Sequence, residues 1–324
     1  MSESTEIAIV DRKKFVGGSD IAAILGLSPW KTPVELWHEK RKPSTGEEYK
    51  GKKAGIFKRG KRWESVVAEM LVERLQEDGH TVEIVAANKR YIDQALDFMA
   101  CEIDFELHLD GETEITNCEL KTVHPFASKA WGESESDQMP VYYTAQGMHG
   151  LGITGRNKCI MAPLFGADEI RTYTIVRDQD TIDWMRAEAA KFWELVVTGV
   201  APAPILLRDM DVLHPTDSDA PALIADEELT RHLLRMRAID KEIKARTAEY
   251  EALEFDVKRA MGDCTSLVVG SETKEAITWK ERAFSFLDQQ GLKADHPKLV
   301  KEYTKKGASR VFTLKSFSID GVIP

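Results

Sequence analysis

The strongest local constraint in this chain is the dipeptide Asp110-Gly111, set between two strand-like runs at 105–109 and 114–121. Asp-Gly is a preferred centre for a two-residue β-hairpin turn, because both central positions need positive φ. With that centre, Leu109 pairs with Glu112 and, counting back, Asp104 pairs with Asn117. Side chains alternate across a strand, so Asn117, Glu119 and Lys121 then share a face with Asp104. Asp104 and Glu119 become diagonal neighbours at roughly 7–8 Å, near enough for a divalent ion between their carboxylates. A one-residue bulge would undo the inference by turning one set to the other face.

The periodicities around the hairpin alternate. Residues 19–26 (SDIAAILG) read as a short helix with Ser19 as N-cap and Gly26 as stop, and a second short helix is expected over 32–39. Residues 43–60, rich in Gly and Lys, read as loop. Val67, Ala68, Leu71, Val72 and Leu75 recur at helical spacing and predict a helix over 61–76. Strands are expected at 82–86, 98–104, 105–109 and 114–121, then a helix at 138–151, strands at 158–164 and 171–176, and a helix at 179–198. This order predicts an α/β core with a central mixed β-sheet flanked by helices, over residues 1–200. Prolines and small polar residues mark 201–225 as a linker. Beyond it Asp226 caps a long helix reaching Met261, with apolar residues such as Leu229, Met236, Ile243, Tyr250 and Val257 at helical spacing. A hairpin (267–270 with 275–280), two short helices and a last strand at 310–314 complete a C-terminal α+β extension, 226–324.

Composition narrows the class. At 324 residues, 43% hydrophobic and 30% charged, the chain can bury a sizeable core, and its apolar runs are far too short to cross a bilayer. The acidic first residues lack the long apolar stretch of a signal peptide, so a cytoplasmic location is expected. Cys101, Cys118, Cys159 and Cys264 form no CxxC pair and read as reduced thiols rather than ligands of an iron–sulfur cluster. A net charge of −10 is awkward for contact with phosphates. Two basic stretches offset it locally: Lys50, Lys52, Lys53, Lys58, Arg59, Lys61 and Arg62, and then Lys298, Lys301, Lys305, Lys306 and Arg310. Charge runs alone are more often solvated faces than nucleic-acid sites.

Glu119-Leu120-Lys121 stands out among the ExK tripeptides only by context, since Glu48-Tyr49-Lys50, Glu242-Ile243-Lys244 and Glu272-Thr273-Lys274 share the pattern. Its strand lies beside Asp104, and two carboxylates with the Leu120 carbonyl and water suit Mg²⁺, with Mn²⁺ as a substitute. Lys121 would then sit beside the attacking water, assisting its deprotonation or stabilising charge in the transition state. Glu64 falls on the apolar stripe of the 61–76 helix, with Ala68, Leu71 and Leu75. A carboxylate there is costly unless paired or metal-bound. The bland readings are a salt bridge for Glu64 and ordinary surface charges for the hairpin acids. His124 and His149 read as core or surface histidines, and Trp30, Trp37 and Trp63 as core packing. Gly150-x-Gly152-x-x-Gly155 falls in or after a helix, where a nucleotide-binding loop does not belong.

Five motifs in order carry a resemblance. They are Gly17-Gly18-Ser19-Asp20 through Gly26 with Ser28-Pro29-Trp30 and Leu36-Trp37; Gly60-Lys61-Arg62-Trp63-Glu64; Ala100-Cys101-Glu102-Ile103-Asp104; Cys118-Glu119-Leu120-Lys121; and Tyr142-Tyr143-Thr144-Ala145-Gln146. Together, over about residues 10–200, they resemble the YqaJ-type viral recombinases and λ-exonuclease family of the PD-(D/E)xK nuclease superfamily. Two departures stand out: Phe105 follows Asp104 where the family commonly has Gly, and Gly147-Met148 follows Gln146 where it often has Q-x-Q. The resemblance implies a restriction-endonuclease-like core, with Glu64, Asp104 and Glu119 as metal ligands, Lys121 as catalytic lysine and Gln146 as a supporting helix residue. It implies Arg12 and Ser19 as holders of a DNA 5′-phosphate, Lys13 and Lys14 being rivals of Arg12. It further implies a Mg²⁺-dependent exonuclease that degrades linear double-stranded DNA 5′→3′ and leaves 3′ single strands for recombination. A trimeric homo-oligomer and a single-strand annealing protein are the partners it suggests. A restriction-like or structure-specific endonuclease, or a catalytically silent DNA-binding scaffold, are the alternatives on the same core.

Overall fold

The computed structural model describes residues 12–42, 52–216, 221–270, 274–307 and 309–315. The chain divides into two compact units, Met1–Pro215 and Thr216–Pro324. The helices of the first unit are α1 (Gly18–Ile24), α2 (Pro33–Arg41), α3 (Lys52–Glu77), α4 (Val141–Thr154), α5 (Gln179–Thr198) and α6 (Leu207–Leu213). Its sheet runs in the order β1 (Val82–Ile92), β2 (Ala100–Leu109), β3 (Thr116–Val123), β4 (Lys158–Phe165) and β5 (Glu169–Ile170), with β6 (Tyr173–Val176) also paired to β4. β1, β2 and β3 are antiparallel neighbours, and β5 and β6 are antiparallel to β4. β3 and β4 are parallel, because the chain crosses back through α4 between them. The sheet is therefore mixed and flanked by helices, as expected.

β4 is buried from Cys159 to Phe165, so both sheet faces need cover. On one face α3 brings Val67, Leu71 and Leu75 against Phe105, Leu107, Cys118, Leu120, Ile160 and Leu164. On the other, α1, α4 and α5 bring Ile21, Leu151, Ile182 and Phe192 against Met161 and Tyr173. Each such side chain contributes about 1.5–3 kcal/mol on burial. The alternation of β3 thus gives Cys118 and Leu120 to the α3 face and turns Asn117, Glu119 and Lys121 toward α4. The GxGxxG pattern on α4 serves packing. A Cβ at Gly150 would lie 3.2 Å from Ile103 Cδ1, one at Gly152 3.0 Å from Ile182 Cγ2, and Gly155 closes the helix at φ +74°.

Several expectations are corrected. α1 begins two residues earlier than expected, with Gly17 rather than Ser19 at the N-cap, and the Asp20 carboxylate accepts from the Gly17 amide at 3.0 Å. α3 starts at Lys52, inside the stretch read as loop, while 43–51 lie outside the described residues. The runs 98–104 and 105–109 are one strand, β2. The stretch read as linker from 201 contains α6, anchored by the buried Asp209, which accepts from Thr32 Oγ1 at 2.6 Å and from the amides of Ile205 and Leu206. Trp30 is 64% exposed rather than core, whereas Trp37 and Trp63 pack against the two core clusters.

In the second unit, Asp226 caps α7 (Glu227–Met261) by accepting from the Leu229 amide at 2.8 Å. The hairpin β7 (Ser266–Val268) and β8 (Glu275–Thr278) follows as expected, then α8 (Gln289–Asp295) and α9 (Pro297–Tyr303). The strand expected at 310–314 does not form. Val311 and Phe312 are exposed, and no described strand pairs with them. Among the described residues, no helix is long and apolar enough to cross a membrane.

Candidate active site

β2 and β3 place the acids. The pairs Leu107/Thr116, Glu106/Asn117 and Phe105/Cys118 are in register, and the next step in that register sets Asp104 opposite Glu119. The turn at Asp110-Gly111 forms, with positive φ at both residues and the Glu112 amide donating to the Leu109 carbonyl at 2.8 Å. Pairing resumes only at Thr116, so the register is two residues away from the expected one. An even slip keeps the face, and Asp104 and Glu119 become direct rather than diagonal neighbours. The Leu120 amide donates to Asp104 Oδ2 at 2.9 Å, so the carboxylate stands where a backbone carbonyl would continue the ladder.

Lys121 Nζ lies 2.9 Å from Glu119 Oε2 and 3.6 Å from Asp104 Oδ2. From α4, Gln146 Nε2 donates to the same Glu119 oxygen at 2.5 Å. Burial pushes the Glu119 carboxyl up to about 7; the Lys121 ammonium opposes that and the Asp104 carboxylate adds to it. Burial by itself would lower Lys121, but the charges of Glu119 and Asp104 outweigh it and hold the ammonium above its ordinary range. Glu64, half-buried on α3, is raised by burial and then by Asp104. Its sequence position on the core-facing stripe is thus matched by electrostatic proximity to the hairpin acids.

A second group adjoins the first. Arg12 Nη2 donates to Ser19 Oγ at 2.9 Å, and Ser19 stands in the first turn of α1 rather than at its cap. Lys40 fixes this turn from below: its Nζ donates to the carbonyls of Arg12 and Phe15 and to Asp20 Oδ2, each at 2.6 Å. Gly18 joins the two groups, since a Cβ there would lie 3.1 Å from Gln146 Cγ. The chain of contacts therefore runs from Arg12 and Ser19 through Gly18 and Gln146 to Glu119, Lys121 and Asp104.

Among the described residues, no three His, Cys, Asp or Glu side chains converge as a ready set of metal ligands. The donor chemistry nevertheless suits a hard divalent cation. Burial is the first cause of the raised Glu64 and Glu119 carboxyls, and the Asp104 carboxylate acts on both as a like charge.

Sequence reasoning missed three features. Glu106, fully buried two residues along β2 from Asp104, accepts from Arg156 Nη1 at 2.8 Å and from the Tyr91 hydroxyl at 2.6 Å. Arg156 also donates to Asn117 Oδ1 at 2.5 Å. Strand alternation from Asp104 was the available signal for Glu106, whereas Arg156 follows a helix stop and carried none. The Asp20–Lys40 pair was the second. The third is an aromatic group in which Tyr142 lies 4.7 Å from Trp30 and 4.6 Å from Tyr143, ring centre to ring centre. His149 is a core histidine with Nε2 at 3.0 Å from the Ala100 carbonyl, and burial lowers its pKa. His124 accepts from the Phe126 amide and shows no hydrogen bond to the acids.

Residues 10–157 match the YqaJ-like viral recombinase domain. The chain is 26% identical over 320 residues to the uncharacterized protein YqaJ of Bacillus subtilis (strain 168), covering 96% of this chain and 94% of that one. Among solved structures, an alkaline exonuclease from Laribacter hongkongensis aligns at 16% identity and a TM-score of 0.43, over 58% of this chain and 90% of its own. A phage-related exonuclease from Haemophilus somnus 129PT aligns at 14% identity and a TM-score of 0.37, over 58% and 96%. Arg12, Ser19, Glu64, Asp104, Glu119, Lys121 and Gln146 all lie within residues 10–157, the segment similar to the YqaJ-like viral recombinase domain.

Proposed function

We propose that this protein is a Mg²⁺-dependent exonuclease that degrades linear double-stranded DNA from 5′ ends and leaves 3′ single strands for recombination. One observation carries the reading: the unbroken series of contacts that links Arg12 and Ser19, through Gln146, to the Glu119–Lys121–Asp104 group. A cationic guanidinium with a hydroxyl suits a terminal phosphate, and an ammonium flanked by carboxylates suits a phosphodiester under attack.

Glu64, Asp104, Glu119 and the Leu120 carbonyl would hold Mg²⁺ (or Mn²⁺), which when bound supplies Lewis-acid polarisation of the phosphate and acidifies the attacking water. The rest falls to the chain itself. Arg12 and Ser19 bind the 5′-phosphate and set the register of the strand. Gln146 holds the Glu119 carboxylate in one orientation while leaving its second oxygen available. Lys121, held charged by its neighbours, stabilises the negative charge that builds on the phosphoryl oxygens as water attacks phosphorus and the leaving oxygen departs. It cannot be the initial base while charged.

The test is digestion in Mg²⁺ of linear duplex DNA with 5′-phosphate or 5′-hydroxyl ends, beside a closed circular control. The expected result is loss of linear DNA only, faster with the phosphate, and abolished in Glu119→Ala. Cutting of the circle would indicate an endonuclease instead, and no cleavage of any form a DNA-binding scaffold.

A further inference from the structure

We propose that the second unit carries a binding site for single-stranded DNA, formed by the α8–α9 groove and the aromatic segment before it. The proposal rests on the nuclease reading for its biological sense, because a resected duplex leaves such a strand, but its physical basis is separate. The chain as a whole carries −10, yet residues 279–315 hold nine Lys and Arg against four Asp and Glu, a net +5. Charge segregated against the average of the chain is the footprint of a polyanion partner.

The positive charge has a shape to act through. An open groove of about 450 Å³ is lined by Lys293 from α8, Pro297, Val300 and Lys301 from α9, and Thr304 and Lys306 beyond it. Three ammonium groups border an apolar floor and no carboxylate lines it, which suits a sugar–phosphate backbone more than an acidic side chain or a small anion. Immediately before α8, Phe284 and Phe286 are each 80% exposed with ring centres 6.2 Å apart. Tyr303, at the end of α9, is 74% exposed. Exposed rings beside lysines are the two components of sequence-tolerant strand binding: bases stack on the rings while the lysines follow the phosphates. Bases in a duplex are already stacked and paired, so the rings favour a single strand over a duplex.

The experiment uses the full chain in EDTA and the fluorescence anisotropy of a labelled oligothymidylate of about 20 nucleotides, which spans more than one such site. The combined variant Lys293→Gln/Lys301→Gln/Lys306→Gln is expected to bind at least about tenfold more weakly, and its log K against log salt slope should fall by about 2, from three single-strand phosphate contacts. Phe284→Ala/Phe286→Ala should weaken binding at least about fivefold while leaving the salt slope unchanged. Glutamine keeps helix propensity close to that of lysine, and unchanged far-UV circular dichroism ties the loss to the groove. Wild-type affinity and slope in the glutamine variant would overturn the proposal, as would a loss of duplex affinity in that variant larger than its loss of oligothymidylate affinity; either would point to a protein or duplex partner. The nuclease reading fails separately. Lysine-dependent oligothymidylate binding without Mg²⁺-dependent cleavage refutes that reading and leaves this one, and cleavage with lysine-independent binding does the reverse.

Discussion

Replacing Lys40 with methionine tests whether the Arg12–Ser19 turn is held by a buried ion pair. The Lys40 and Asp20 side chains are 3% and 8% exposed, and the ammonium has three acceptors at 2.6 Å. Burial alone would raise the Asp20 pKa, but the Lys40 charge and the Gly17 amide outweigh it and hold it below the ordinary 3.8. Burial also depresses Lys40, so the pair as a whole adds little net stability. Breaking it is a different matter. Lys40→Met leaves a buried carboxylate with the Gly17 amide as its remaining hydrogen-bond donor among the described residues, and strips a donor from two carbonyls. Removal of one partner from such a pair costs about 3–5 kcal/mol.

The sign of the pH dependence follows. In the wild type, Asp20 contributes stability above the ordinary carboxylate range and loses it only as pH falls through its depressed value. In Lys40→Met, burial is no longer opposed by the ammonium, so Asp20 is raised and its penalty is relieved as pH falls. Urea unfolding followed by tryptophan fluorescence should show the full loss near about pH 8, a midpoint shift of roughly 1–2 M, and a smaller loss near about pH 5. The double variant Asp20→Asn/Lys40→Met should recover part of the loss, with a coupling of about 2 kcal/mol or more. A loss below about 1 kcal/mol, or one equal at both pH values, would refute the reasoning.

Other outcomes are expected. Lys121→Met should lower the cleavage rate by about 10²–10³-fold with little change in duplex affinity, measured by single-turnover digestion and by binding in EDTA. In cation-free protein, Glu119 should make the wild type lose up to about 3 kcal/mol of stability as pH rises from its ordinary 4.5 to about 7, a slope absent from Glu119→Gln in urea titrations. Arg156→Met should cost about 3–5 kcal/mol by stranding buried Glu106, and Arg156→Met/Glu106→Gln much less, both by thermal melts. Trp30→Ala should leave the melting free energy within about 0.5 kcal/mol, because the ring lies outside the core.

The alternation of β3 and the helical stripe of α3 were legible in sequence because each is a periodicity that burial enforces. That is why Asp104, Glu119 and Lys121 could be placed on one face of the hairpin and Glu64 on the core-facing stripe of its helix. The shared face of Asp104 and Glu119 survived an incorrect register because the loop after Gly111 shifts it by two residues, and parity alone decides the face. Contacts between elements were less visible. Lys40 reads as one more charge on α2, and only the approach of the Arg12–Phe15 turn makes it a donor to three acceptors. Arg156 lies just beyond a helix stop, where no period predicts direction. α6 was hidden because its anchor, Asp209, finds Thr32 at a separation of 177 residues.

The Leu120 amide has a consequence for how this site can be watched. Its proton points at Asp104 Oδ2, a side-chain carboxylate rather than a backbone carbonyl of β2, so its resonance depends on what that carboxylate binds. Engagement of Asp104 by a cation withdraws electron density from that acceptor and moves the amide signal without unfolding the strand. Selective ¹⁵N-leucine labelling thus turns one backbone position into a gauge of occupancy. The same proton should exchange with solvent at a rate set by the state of Asp104 rather than by the opening of the β2–β3 ladder.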